Sequence, residues 1–175
     1  MFRYDVNDLK NLTHKERVAL SDDIADFLAA KTRFGVDTVI RNINVLETTI
    51  ALHTVFDLRK DRLVFDSPTQ IMVHKVLTGR SDELELRSNA PLMLDPSNPY
   101  DAYQGGSIGE SIGNAIAFAL ETKNRVIVLI DDHALNYGIT YENLIQINRF
   151  QPNLTIIMID EQQSLLRHVS AFDSL

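Results

Sequence analysis

The stretch RVIVLID, residues Arg125–Asp131, decides the fold of this chain of 175 residues. Its unbroken run of aliphatic and mostly β-branched side chains is typical of a strand that is buried on both faces of a sheet. Two further runs have the same character, RLVFD at Arg62–Asp66 and LTIIMID at Leu154–Asp160. The sequence therefore predicts three buried strands, each of which ends in an aspartate.

Segments with helical spacing lie before and between these strands. The last segment follows the second strand and leads into the third, so it predicts the crossover of a right-handed, parallel βαβ unit. We expect an α/β fold, a three-layer αβα sandwich with a mainly parallel sheet, in a single domain over residues 1–175. The predicted helices are Leu12–Lys31, Asn44–Phe56, Pro68–Leu77, Ser107–Thr122 and Ala134–Arg149.

The strand ends are the expected place for a ligand, because open parallel sheets bind ligands at the carboxyl ends of their strands. Asp131, Asp132 and Glu161 follow neighbouring strands and carry the hard oxygen ligands that suit a divalent cation. Acidic residues in such places also cap the helix that follows by accepting N–H bonds from its first turn. These residues favour the capping role, and a metal site remains the alternative.

Charge and hydropathy exclude two classes of partner. Seventeen Lys and Arg stand against 24 Asp and Glu, a formal charge of −7, and no basic run is present to attract a phosphate backbone. No stretch approaches the roughly 18 to 20 apolar residues that span a bilayer. We therefore expect that the protein binds neither nucleic acid nor a membrane. We also expect it to be cytoplasmic. Without cysteine the chain has no thiolate metal site and no cysteine nucleophile.

The three predicted strands all read as central strands, and none reads as an edge strand. Their backbone donors and acceptors therefore need a cover that these runs do not provide. We expect a homodimer or a companion chain to supply it, unless the sequence is a piece of a longer protein.

Several motifs together carry a family resemblance. LETTIALH at Leu46–His53, HKVLTGR at His74–Arg80 and GSIGESIGNAIAFA at Gly106–Ala119 resemble the N-terminal domain of 1-deoxy-D-xylulose-5-phosphate synthase, a transketolase-like enzyme. The resemblance covers almost the whole chain in the correct order. It implies a thiamine-diphosphate-binding-type fold whose first domain holds the diphosphate of the cofactor through Mg²⁺.

The resemblance also implies a set of site residues. Asp132 keeps the metal carboxylate of the family, Glu161 stands at its amide ligand, and Gln163 would offer a backbone carbonyl. The cofactor-binding positions that correspond are Thr38, Thr69, Ser107, His133 and Ala134.

These positions depart from the family pattern. The Gly-Asp-Gly of the family reads Asp131-Asp132-His133 here, and its Asn-Asp-Asn reads Ile159-Asp160-Glu161. Thr38, Thr69 and Ser107 stand where the synthases carry histidines, so no imidazole is left there for proton transfer. The resemblance places the catalytic glutamate of the family in a later domain, and we predict no catalytic residue in this chain.

Two functions follow as expectations. The first is a degenerate synthase-like domain that binds no cofactor, is inactive alone and acts as a binding or assembly module. The alternative is one subunit or fragment of a thiamine-diphosphate-dependent transferase that condenses pyruvate with an aldose phosphate. If active, it would require thiamine diphosphate, Mg²⁺ and a second domain or chain.

The remaining candidates have structural as well as functional interpretations. His53 and His74 are expected to be hydrogen-bonded histidines in the packing rather than catalytic groups. Lys75 and Arg80 either form ion pairs that anchor the fold or meet a phosphate. The glycines that precede the long helix, Gly106 and Gly109, either cradle an anion or permit close packing.

Overall fold

The computed structural model describes residues 6–85, 92–105 and 108–160, with the backbone alone for Thr32 and Thr69. Within it the chain forms two compact units. The helical unit comprises Met1–Leu58 and Pro68–Leu94, and the sheet unit comprises Arg59–Ser67 and Asp95–Leu175. The single domain expected from the sequence stays a prediction.

The described part of the sheet unit contains three parallel strands in the order β1-β2-β3, so the α/β class and the parallel sheet are confirmed. The strands are β1 (Arg62–Phe65), β2 (Val126–Asp131) and β3 (Leu154–Ile159), and the long helices are α5 (Ser111–Glu121) and α6 (Gly138–Phe150). Alternate side chains of β2 pack with Ile112, Ala115 and Ile116 of α5 in one apolar cluster. Because all three strands run the same way, their carboxyl ends share one edge of the sheet.

The third strand differs from its prediction. All six residues of β2 are buried, and β1 is buried from Leu63 to Phe65, as the apolar runs predict. No residue of β3 is buried, and the side chain of Met158 is 49% exposed. The expectation that β3 is covered on both faces is therefore wrong for the described residues. The physical reason is its position, since β3 is an edge strand that pairs with β2 alone in this part of the chain.

Among the residues that the structure describes, the helical unit packs four α-helices around its own apolar core. They are α1 (His14–Ala29), α2 (Val36–Asn44), α3 (Leu46–Val55) and α4 (Met72–Leu77). The sequence predicts all of these except α2. Its Asn42 is fully buried, donates to the carbonyl of Thr38 and accepts the N–H of Met72, so it ties α2 to the first turn of α4. No helix in the described part of the chain is long and apolar enough to cross a membrane.

The HKVLTGR motif ends α4 and fixes the turn that follows. Gly79 has a φ of +78°, the left-handed conformation that glycine adopts without a Cβ clash. The N–H of Arg80 donates to the carbonyl of Lys75 at 2.8 Å and that of Gly79 to Val76 at 3.1 Å, the bonding pattern of a Schellman motif. The buried ammonium of Lys75 pairs with Glu83. Lys75 thus has the fold-anchoring role, one of its two expected roles.

His53 and His74 form a buried imidazole pair between α3 and α4. His53 Nε2 lies 2.9 Å from His74 Nδ1, and His53 Nδ1 lies 2.7 Å from the carbonyl oxygen of Thr49. Because a carbonyl only accepts, His53 carries its proton on Nδ1 and its Nε2 accepts from His74. Both rings are hydrogen-bonded within the core, which is the structural role that the sequence predicts.

Burial of the pair makes the helical unit sensitive to acid. Loss of solvation, with the neighbouring His74 second, lowers the pKa of His53 to about 3 from its usual 6.5. A histidine whose pKa falls on folding stabilises the fold above its unfolded pKa and loses that contribution as the pH falls. We expect the free energy of unfolding to decrease between about pH 6.5 and pH 3, by up to about 1.4 kcal/mol per pH unit from this residue.

Urea unfolding at a series of pH values measures this dependence. H53N removes the titrating ring. The free energy of unfolding of this variant should depend less steeply on pH, by the contribution of one proton. The matched control is H14N, since His14 is exposed at the start of α1. An H53N profile as steep as that of the wild-type chain would show that the pair does not control acid stability.

Candidate functional site

The carboxylate of Asp66 joins the end of β1 to the start of α5. Asp66 is 1% exposed. Its backbone N–H donates to the carbonyl of Leu129 and so extends the hydrogen bonding between β1 and β2 by one residue. Its Oδ1 accepts the N–H of Gly109 at 2.8 Å and the hydroxyl of Ser111 at 2.5 Å. Its Oδ2 is buried without a hydrogen-bond partner among the described residues. One carboxylate oxygen therefore fixes the segment that precedes a long helix.

Gly109 is in close contact with α6. A Cβ built on it would lie 2.6 Å from Ile139 Cγ2 and 2.9 Å from Thr140 Oγ1, and its φ is +91°. Its carbonyl accepts from the amide of Asn143 at 3.0 Å. Close packing is thus the observed role of Gly109, and Gly106 lies outside the described residues.

A second buried carboxylate lies close to Asp66. Asp131, the last residue of β2, is 2% exposed. Burial raises the pKa of Asp66, the hydrogen bonds from Ser111 and Gly109 oppose that rise, and the charge of Asp131 adds to it. The carboxyl ends of β1 and β2 therefore concentrate negative charge where the resemblance implies a site for an anionic cofactor.

Asp132, His133 and Ala134 follow Asp131 in a short 3₁₀ helix, Asp132–Asn136. Asp131 is the residue at its N-cap position and makes no side-chain cap bond, so the predicted capping role is wrong for Asp131. Asp132 Oδ1 is buried without a hydrogen-bond partner in the described part of the chain. That oxygen fits a metal ligand. However, no group of three His, Asp or Glu side chains within the described ranges could hold a metal ion.

The residues on either side of Asp132 fit a diphosphate poorly. His133 is half-buried and adds a side chain, and Asp131 adds a charge, where the resemblance implies bare glycine backbone. Ala134 is buried, and its carbonyl accepts the hydroxyl of Thr140 at 2.6 Å. The residues that flank Asp132 therefore do not fit an anion that must approach the backbone N–H groups.

The structure places the other predicted site residues as follows. Thr38 lies half-buried in α2, and Thr69 lies in the 3₁₀ turn Pro68–Gln70, both in the helical unit. Ser107, Glu161 and Gln163 lie outside the described residues. Of the predicted set, the structure brings together Asp132, His133 and Ala134, which are consecutive in sequence. The assignment of all eight residues to a cofactor or metal site stays a prediction.

The sequence analysis missed the partners of Asp66. Asp66 stands out as the end of a strand, but Gly109 and Ser111 are 43 and 45 residues away. Neither shows a local pattern that pairs it with an aspartate. The only signal was indirect, because an acid at the end of a fully buried strand needs donors from another element.

The Ser111 hydroxyl should be important for the stability of the sheet unit. S111A removes the hydroxyl that donates to Asp66 Oδ1 and leaves the carboxylate with backbone N–H donors, so we expect the free energy of unfolding to fall by about 1.5 to 3 kcal/mol at pH 7, the range for hydrogen bonds to charged groups. Because the lost bond favours the ionised carboxyl, the loss should shrink as the pH falls toward the raised pKa of Asp66.

Chemical denaturation at pH 7 and at acid pH tests this. S97A is the matched control, since Ser97 is exposed in the same unit. An S111A variant that is no less stable than S97A would contradict the assigned role of this hydrogen bond.

Comparison with known proteins covers nearly the whole chain. Residues 4–175 match the family model described as 1-deoxy-D-xylulose-5-phosphate synthase. The chain is 34% identical over 180 residues to the protein of that name from Macrococcus caseolyticus, covering 98% of this chain and 29% of the relative. It is 35% identical over 176 residues to the one from Clostridium acetobutylicum, covering 95% of this chain and 28% of the relative.

The chain thus spans less than a third of the length of these relatives. The match is consistent with the observed parallel sheet and with a thiamine-diphosphate-binding-type fold. On the extent of the match and the identity of its relatives, the chain belongs to the 1-deoxy-D-xylulose-5-phosphate synthase family.

Proposed function

We propose that this chain is a synthase-like scaffold that is catalytically inactive alone and acts as a binding or assembly module. The observation that carries the proposal is the pair of buried carboxylates at the strand ends. Burial is the largest cause of the raised pKa of Asp66, and the charge of Asp131 adds to it, so two acidic groups lie near each other where the resemblance implies a site for an anionic cofactor. On this proposal the chain keeps the fold of the family and has lost the site for the diphosphate of the cofactor.

The electrostatic cost is large enough to weaken the binding of an anionic cofactor. Two like charges about 4 Å apart repel by about 4 kcal/mol at an effective dielectric constant near 20. Solvent and salt reduce this severalfold, but even about 1.4 kcal/mol lowers the affinity tenfold. The side chain of His133 adds a steric penalty of its own.

A second candidate function is supported by Asp132. Its buried Oδ1 has no hydrogen-bond partner among the described residues, which suits an oxygen that binds a metal. On this basis the chain would be one subunit or fragment of a thiamine-diphosphate-dependent transferase that condenses pyruvate with an aldose phosphate. Mg²⁺ would bind at Asp132, and a companion chain would supply the missing domains.

Calorimetric titration with thiamine diphosphate and Mg²⁺ distinguishes the two candidates. We expect the wild-type chain to give no magnesium-dependent heat at micromolar concentration. D131G/H133G restores the family's Gly-Asp-Gly, removes the added charge and frees the backbone, so it should gain at least about tenfold in affinity.

The control adds D132N to the D131G/H133G variant and should abolish that gain, because it removes the metal carboxylate. Micromolar, magnesium-dependent binding by the wild-type chain, lost in D132N, would overturn the first proposal and support the second. Failure of D131G/H133G to gain affinity would show that charge and crowding at this edge are not what prevents binding.

A further inference from the structure

We draw no further inference here: the strongest candidate, the cavity of about 400 Å³ between α1 and α3 that is lined in part by Arg17, Glu47 and Ile50, carries none, because nothing in the described part of the structure shows what covers it in a chain that spans less than a third of the length of its relatives.

Discussion

The sheet unit depends on one buried carboxylate that accepts two donors from a distant segment. Asp66 receives the N–H of Gly109 and the hydroxyl of Ser111, and Gly109 in turn is held by Asn143 of α6. This chain of bonds ties the end of β1 to both long helices. A carboxylate at 1% exposure is stable only with such donors, so the polar network and the apolar core require each other.

The same constraint explains how the scaffold would persist after the loss of the cofactor site that we propose. The bonds of Asp66 run to the start of α5 and need no ligand for their geometry. Asp131 takes no part in those bonds. It precedes Asp132, the implied metal carboxylate, and stands where the resemblance implies a glycine. Burial is the main cause of the raised pKa of Asp66; the charge of Asp131 adds to it, and the hydrogen bonds of Asp66 are kept.

Sequence patterns predicted what depends on short-range periodicity. The apolar runs identified all three strands, and their direction followed from the helical segments between them. The helix α2 was missed because VDTVIRNIN is rich in β-branched residues, which are weak helix formers. It is held instead by a buried asparagine and by the Asp37–Arg41 pair. The exposure of β3 could not be predicted, because burial depends on which elements lie beside a strand and not on its own residues.

For a related reason, the sequence could not predict which polar residues pair with each other over long distances along the chain. His53 and His74 are 21 residues apart, and Asp66 and Ser111 are 45 apart, with no periodicity that relates them. The sequence did indicate that both histidines belong to the packing, since each lies in an apolar helix. It could not indicate that each is the other's partner, which the approach of α3 to α4 decides.

The imidazole pair also makes the helical unit a reporter of its own opening. Both rings are at most 1% exposed, so a reagent that acylates neutral imidazole reaches them only when α3 and α4 separate. Their rate of acylation in the native protein therefore measures how often that core opens, against exposed His14 as the internal reference. The same histidine pair that packs the helical core can therefore be used to measure the rate of its local unfolding.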